Sequence, residues 1–194
     1  EMLIVANGQS ARLVDFDRIK APIIAVNGAI DWLPRADLWF TLDMSEENRQ
    51  RFDRQRPAVK YIACGEPGHV RRVSHRGAEP ADKSSPEWWR WRWSAKLGLS
   101  EDPGAIHTGN SAYGALGLAY HMRPKRIVLC GVDADDQTRI DGKMTRSLAH
   151  LSMLFESALP QLRGAGIEVV NASPWSRVTC FPKIDPAKVP EWII

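Results

Sequence analysis

Residues 3–13 read LIVANGQSARL. Leu3, Ile4, Val5 and Ala6 form a continuous apolar run, the pattern of a strand buried on both faces. Asn7-Gly8-Gln9-Ser10 then breaks the run. An Asn-Gly pair at a strand end is most simply a tight turn. It also suits a backbone cradle for a ligand phosphate, because Gly8 can adopt positive φ and admit a ligand to the main chain. Ser10 would cap the next helix and leave its first amide groups facing an anion.

Five further short apolar runs follow the first, at residues 2–6: 23–26 (IIAV), 37–42 (DLWFTL), 59–63 (VKYIA), 126–130 (RIVLC) and 167–171 (IEVVN). Most end on a turn signal: Asn27-Gly28, Asp43, Cys64-Gly65 and Gly131-Val132-Asp133. Helical periodicity lies between several of them. Residues 110–122 carry apolar side chains at 112, 113, 116, 119 and 120, with Asn110 or Ser111 as cap and Pro124 just beyond the end. Residues 146–163 place Leu148, Leu151, Phe155, Ala158 and Leu162 on one stripe, with Pro160 as a bend late in the helix. Alternating strand and helix predict a single α/β domain over 1–194, a parallel-rich open sheet flanked by helices.

Residues 66–107 break the rhythm. They include EWWRWRW at 87–93, where Trp88, Trp89, Trp91 and Trp93 interleave with Arg90 and Arg92. A central strand cannot bury those guanidinium groups without partners. The expectation is an irregular insertion or flap that lays its indoles over the sheet and keeps its Arg heads in water. The tail KIDPAKVPEWII reads as irregular, anchored by Trp192 and Ile193.

Composition bounds the function. The chain has 194 residues, 44% hydrophobic and 25% charged, with a net charge of +3. So mild a balance gives no general argument for nucleic-acid binding. No apolar run reaches the roughly 18 residues of a bilayer span. Cys64, Cys130 and Cys180 are odd in number, far apart and without metal-ligand spacing. Cys64 and Cys130, at the ends of apolar runs, read as small buried hydrophobes, so the expected setting is reducing and cytoplasmic. G-x-G-x-x-G, G-x-x-x-x-G-K-[ST] and G-x-S-x-G are all missing, which disfavours NAD enzymes, P-loop ATPases and α/β-hydrolases.

Ligands of open α/β sheets bind at the carboxyl ends of the strands. The expected pocket therefore takes in Asn7, Gly8, Gln9 and Ser10, then Asn27, Gly28 and Asp43. A second helix start, Thr108-Gly109-Asn110-Ser111, and Asp133 complete it. Asp133 with Asp135 and Asp136 is either a Mg²⁺ site or a solvated acidic loop. His150, near the start of a helix, and His107, beside the Gly-Asn loop, are the candidate general bases. Tyr113 and Tyr120 read as core.

VANGQSARL, IIAVNGAIDWLPRADLWFTLD and TGNSAYGALGLAYHMRPKRIVLCGVDADD resemble a Rossmann-like family. It includes bacterial sialyltransferases that use CMP-sialic acid, archaeal-type 6-hydroxymethylpterin diphosphokinases, and many phage or prophage proteins. The close, GIEVVNASPWSRVTCFPKI, is similar to the phage members, which read Asn-x-Ser/Thr-x-x-Ser followed by Phe-Pro. The resemblance covers 2–43 and 105–184. It implies nucleotide contacts from Asn7, Gly8, Ser10, Asn27, the 108–111 loop and Asp133, and it offers His150 as base. Gln9 departs from the family's proline, Ala112 stands in place of a glycine, and no tyrosine pair is placed to hold a leaving phosphate. The leading expectation is a nucleotide-sugar glycosyltransferase that needs no metal and binds a nucleotide or nucleotide sugar. The alternatives are a Mg²⁺-dependent diphosphotransferase and a phage-derived binding protein without chemistry. A homo-oligomer is compatible with each.

Overall fold

The computed structural model describes residues 1–43, 45–63, 92–144 and 148–193. Six strands form one wholly parallel sheet: β1 (Met2–Val5), β2 (Ile23–Val26), β3 (Leu38–Thr41), β4 (Lys60–Ala63), β7 (Arg126–Cys130) and β8 (Glu168–Asn171). Their spatial order is β4-β3-β2-β1-β7-β8. These are the six runs expected from the sequence: 23–26 and 126–130 are matched in full, and the other four lose one residue at one or both ends.

Strand alternation sorts the apolar side chains into two layers. Met2, Ile4, Ile24, Phe40, Ile127 and Leu129 face one core; Leu3, Val5, Ile23, Trp39, Val128 and Cys130 face the other. Both layers are covered, which is why the strand interiors are apolar on both faces, with polar residues such as Lys60, Arg126 and Glu168 only at strand ends. Each fully buried Leu, Ile or Val contributes about 1.5–3 kcal/mol.

The first core is roofed by α3 (Ser111–His121), α4 (Ala149–Ser157) and α5 (Leu159–Gly164). α3 is buried from Ser111 to Tyr120 and so is apolar all round. Tyr113 and Tyr120 are core, as expected. The single helix expected over 146–163 is two helices divided at Ala158. Pro160 opens the second, where its missing N–H costs least. The expected stripe still packs as one face, with Leu151, Phe155, Ala158 and Leu162 all buried.

The second core is covered by α1 (Ala29–Trp32), α2 (Glu46–Asp53), 3₁₀ turns at Gln9–Leu13 and Phe16–Arg18, and the C-terminal α6 (Val189–Trp192). The tail is thus more regular than expected, and Ile193 is its buried anchor. Part of the expected flap is regular too. β5 (Arg92–Ser94) and β6 (Ala105–His107) pair in parallel as a separate two-stranded sheet. Ile106 of β6 is fully buried in the first core. Trp88, Trp89, Arg90 and Trp91, expected in the flap, lie outside the described residues.

The strand order has one functional consequence. β1 lies between β2 and β7, so the chain leaves β1 toward one side of the sheet and β7 toward the other. The crevice opened by that divergence is where such sheets hold ligands.

Candidate functional site

A cavity of about 230 Å³ occupies this crevice. Its walls come from the ends of β1 (Ala6, Asn7, Gly8), β2 (Val26, Asn27) and β7 (Gly131 to Asp135). The start of α3 (Asn110, Ser111, Ala112) closes one side, and Arg139, Met144, Leu148 and Leu151 another. Asn7 and Asp133 therefore share one edge of the sheet, as the sequence led us to expect. A second cleft, of about 490 Å³, lies between α1 and α2 and is rich in arginine. Its Arg51 is held by Asp31 and Asn48, and its Arg56 by the carbonyls of Ile30, Leu33 and Pro34. It lies off the carboxyl edge of the sheet and its two anchored guanidinium groups are structural.

Asp133 is buried, and both of its carboxylate oxygens are committed. Oδ1 accepts from the Ser10 hydroxyl and from Ser173 Oγ at 2.6 Å; Oδ2 accepts from Ser10 N–H at 3.0 Å and Trp175 Nε1 at 3.3 Å. The amide at the first turn, expected to face a ligand anion, is thus filled by the protein's own carboxylate. Ser10 is wholly buried behind it. Gly8 is also needed for a different reason than expected. Its φ is −65°, an ordinary value, but a Cβ there would overlap Asp133 Cγ and Oδ2 and the Gly131 carbonyl. The positive φ falls instead on Gly131, at +66°, and on the non-glycines Asn27 and Ala134, at 50° and 53°.

The family-like Asn-x-Ser-x-x-Ser pattern gains a structural meaning here. Asn171 turns the chain by accepting from Ser173 N–H and donating to the Val178 carbonyl. Ser173 reaches Asp133, and Ser176 Oγ donates to the Val132 carbonyl at 2.6 Å. The loop after β8 therefore braces the loop after β7.

Asn7 is held from two sides. Its Oδ1 accepts from Trp32 Nε1 at 2.9 Å and its Nδ2 donates to Asp141 at 3.0 Å. Asp141 belongs to a strap, residues 135–144, that doubles back through a bridge between Thr138 and Met144. Ile140 N–H donates to the Asn7 carbonyl at 2.8 Å, and Gln9 Nε2 to the Thr138 carbonyl at 2.8 Å. At its far end, Lys143 pairs with Glu47 at 2.8 Å. That hydrogen bond, foremost, holds the exposed Glu47 carboxyl at about 2 rather than 4.5.

Asn27 Oδ1 accepts from Thr41 Oγ1 at 2.7 Å, and Asn48 Nδ2 ties Thr41 to the Asp43 carbonyl. This leaves Asn27 Nδ2 on the cavity wall with no acceptor among the described residues. Asp43 itself is exposed, and its backbone carries the turn. Gly28 is buried against Asn7: a Cβ there would lie 2.7 Å from Asn7 Nδ2.

At the α3 start, Asn110 is the cap. Its Oδ1 accepts from Ala112 N–H at 2.8 Å and Tyr113 N–H at 3.3 Å. The expected anion cradle is therefore partly filled, and what the cap leaves is the Ser111 N–H. Thr108 is buried in the same turn, bonded to the Asn110 backbone, and Gly109 is exposed beside it. His107 Nδ1 lies 3.1 Å from the Gly98 carbonyl and is not on the cavity wall. His150 is exposed on the first turn of α4; its chain neighbours Leu148 and Leu151 line the cavity, and His150, like His107, is not on the wall. Among the described residues no group of three His, Cys, Asp or Glu side chains is arranged to hold a metal. Cys130 is buried and its thiol pKa is pushed up by desolvation; Cys180, half-buried, is raised to about 11 by the same cause.

No protein-family model and no curated sequence matches the chain. Solved structures do. The sialyltransferase CstII from Campylobacter jejuni, in complex with the substrate analogue cytidine-5'-monophosphate, superposes with a TM-score of 0.51 at 12% identity, over 94% of this chain and 84% of the other. The sialyltransferase CST-II in complex with a trisaccharide acceptor and CMP gives 0.52 at 12% identity, over 93% and 84%. The chain has a sialyltransferase-like fold. At that identity the likeness is one of architecture, and residue roles rest on the geometry above. Among the described residues no helix is long and apolar enough to cross a membrane.

The sequence did not point to the strap. Arg139, Asp141 and Met144 lie in a stretch without periodicity, and the Asp141-Gly142 turn is the one local sign that it folds back. Ser173 and Trp175 were visible only as part of a family-like pattern.

Proposed function

We propose that this chain is a nucleotide-binding transferase that takes a nucleotide sugar, of the sialyltransferase-like type. The observation that carries the reading is the polar cavity at the divergence of β1 and β7, in a fold shared with CMP-bound sialyltransferases. Asn27 Nδ2 and the Ser111 N–H are two of the donors left open to the ligand, and the phosphate lies toward the start of α3. His150 takes the proton of an acceptor hydroxyl. Asp133, which Mg²⁺-dependent diphosphate transfer would use as a metal ligand, spends its oxygens on protein donors; the glycosyl-transfer reading does not need it free.

The test is a thermal-shift and calorimetric screen with CMP, CDP, UDP, GDP and ATP, with and without Mg²⁺. A nucleotide present at a hundred times its Kd stabilises the folded state by about 2.7 kcal/mol. No shift with any of them would overturn the reading. If a nucleotide binds, His150→Ala should reduce transfer from the matching nucleotide sugar while leaving nucleotide affinity unchanged. A chain that binds CMP but neither transfers nor hydrolyses CMP-sialic acid is a binding protein.

A further inference from the structure

Asp135 differs from every other acid near the cavity. It follows Asp133 by two residues, and the left-handed Ala134 between them reverses the chain. Asp133 is consumed inside the protein, whereas Asp135 lies on the cavity wall. Its Oδ1 accepts one weak bond, from Gln137 N–H at 3.3 Å. Its Oδ2 is shut off from water and has no hydrogen-bond partner among the described residues. Arg139, the one basic side chain on the described cavity wall, does not answer it. That guanidinium is turned to Asp141, through Nε at 3.2 Å and Nη2 at 3.0 Å.

A carboxylate oxygen that has lost water and gained no donor leaves the empty pocket in a state of raised free energy. A carboxylate only accepts. It also repels a phosphate brought beside it. The group that relieves it is therefore a neutral O–H or N–H donor. We propose that Asp135 is a specificity residue of this pocket, whose Oδ2 turns into the cavity to accept a hydrogen bond from a sugar hydroxyl or an exocyclic amine of the ligand. The inference rests on the nucleotide reading for the kind of ligand, and it divides the pocket into two ends. The phosphate lies at the α3 start, and the uncharged, donor-bearing part lies at the β7 loop.

Asp135→Asn is the informative variant. The two oxygens of Asp135 must both accept, one from Gln137 and one from the ligand, and an amide can offer an acceptor to only one of them. Calorimetric titrations would compare wild type and Asp135→Asn with CMP, 2'-deoxy-CMP, 3'-deoxy-CMP and UMP. The expected result is a loss of about 10- to 100-fold in CMP affinity for the variant, the worth of one hydrogen bond to a charged group. The analogue that lacks the relevant donor should be weak for wild type and lose nothing further on substitution. Weakness of a deoxy analogue identifies a ribose hydroxyl as the donor, and weakness of UMP identifies the cytosine amine. Equal binding of CMP, both deoxy analogues and UMP by wild type overturns the inference, whether or not the variant folds, and leaves the nucleotide reading standing. So does undiminished CMP binding by a folded variant. Ribose and N-acetylneuraminic acid complete the set. If only these bind, and Asp135→Asn weakens them, the donor role stands and the nucleotide reading falls. If nothing binds wild type, both fall.

Discussion

Gly8 and Asp133 show how little room a single residue has at this site. The Cβ missing from Gly8 is what lets the Asp133 carboxylate reach Ser10. Gly8→Val should therefore unfold the protein more readily, by about 1–3 kcal/mol, as overpacking does, and not merely block a ligand; urea denaturation reads the change. The opposite result, a full-strength fold that binds no nucleotide, would return Gly8 to the role of a ligand cradle. Asp133→Asn should cost about 2–3 kcal/mol, because the amide's NH₂ faces two donors that the carboxylate oxygen had satisfied. An unchanged urea midpoint would show that Asp133 is not a staple. From the sequence, Asn7, Gly8, Asn27 and Asp133 could be placed on one edge, since strand ends reveal themselves. Which of them faces a ligand and which faces the protein could not be read. That depends on Ser173 and Trp175, 40 and 42 residues away from Asp133.

Among the elements, the strap at 135–144 is the one that the apolar pattern did not announce. It holds to the body mainly by polar contacts: Asp141 on Asn7, Gln9 on Thr138, and Lys143 on Glu47. Hydrophobic periodicity is blind to such a piece. The pH dependence of its far end follows from Glu47, whose folded-state pKa is lowered to about 2 by the Lys143 hydrogen bond. The stabilisation from this pair is complete above the ordinary value of 4.5 and disappears as the pH falls through about 2. Lys143→Ala should lower the melting temperature slightly at pH 6, by less and less as the pH falls through about 2, with wild type and variant converging below it. A difference that does not shrink toward low pH would mean that Lys143 acts through something other than Glu47. The reading of 146–163 as one helix bent at Pro160 gives way to two helices that divide at Ala158, for a local reason. The apolar stripe runs on across the break, so the pattern alone cannot show that the backbone stops and starts again.

At the scale of the whole molecule, the sheet was legible because the interiors of β1 to β4, β7 and β8 are apolar on both faces, a requirement that leaves its mark on successive residues of a strand. The strand order was not read from any local pattern; it follows from which helix covers which face, and α3 alone contacts β1, β2, β3 and β6. Removing residues 165–194 takes away β8, the Ser173 and Trp175 donors and the Ile193 anchor together. The shortened chain should show no cooperative thermal transition by circular dichroism; a sharp melt would mean that β1 to β7 fold alone. The Asp133 staple also bears on how the protein is made. Ser10 leaves the ribosome 163 residues before Ser173, an interval of roughly 8 to 33 seconds at ordinary synthesis rates of about 5–20 residues per second. For most of that time β1 stands with the edge meant for β7 unpaired, an open template for another chain. The newly made protein is therefore most vulnerable to aggregation before β7 emerges, and slow translation of residues 64–125 should lower its soluble yield.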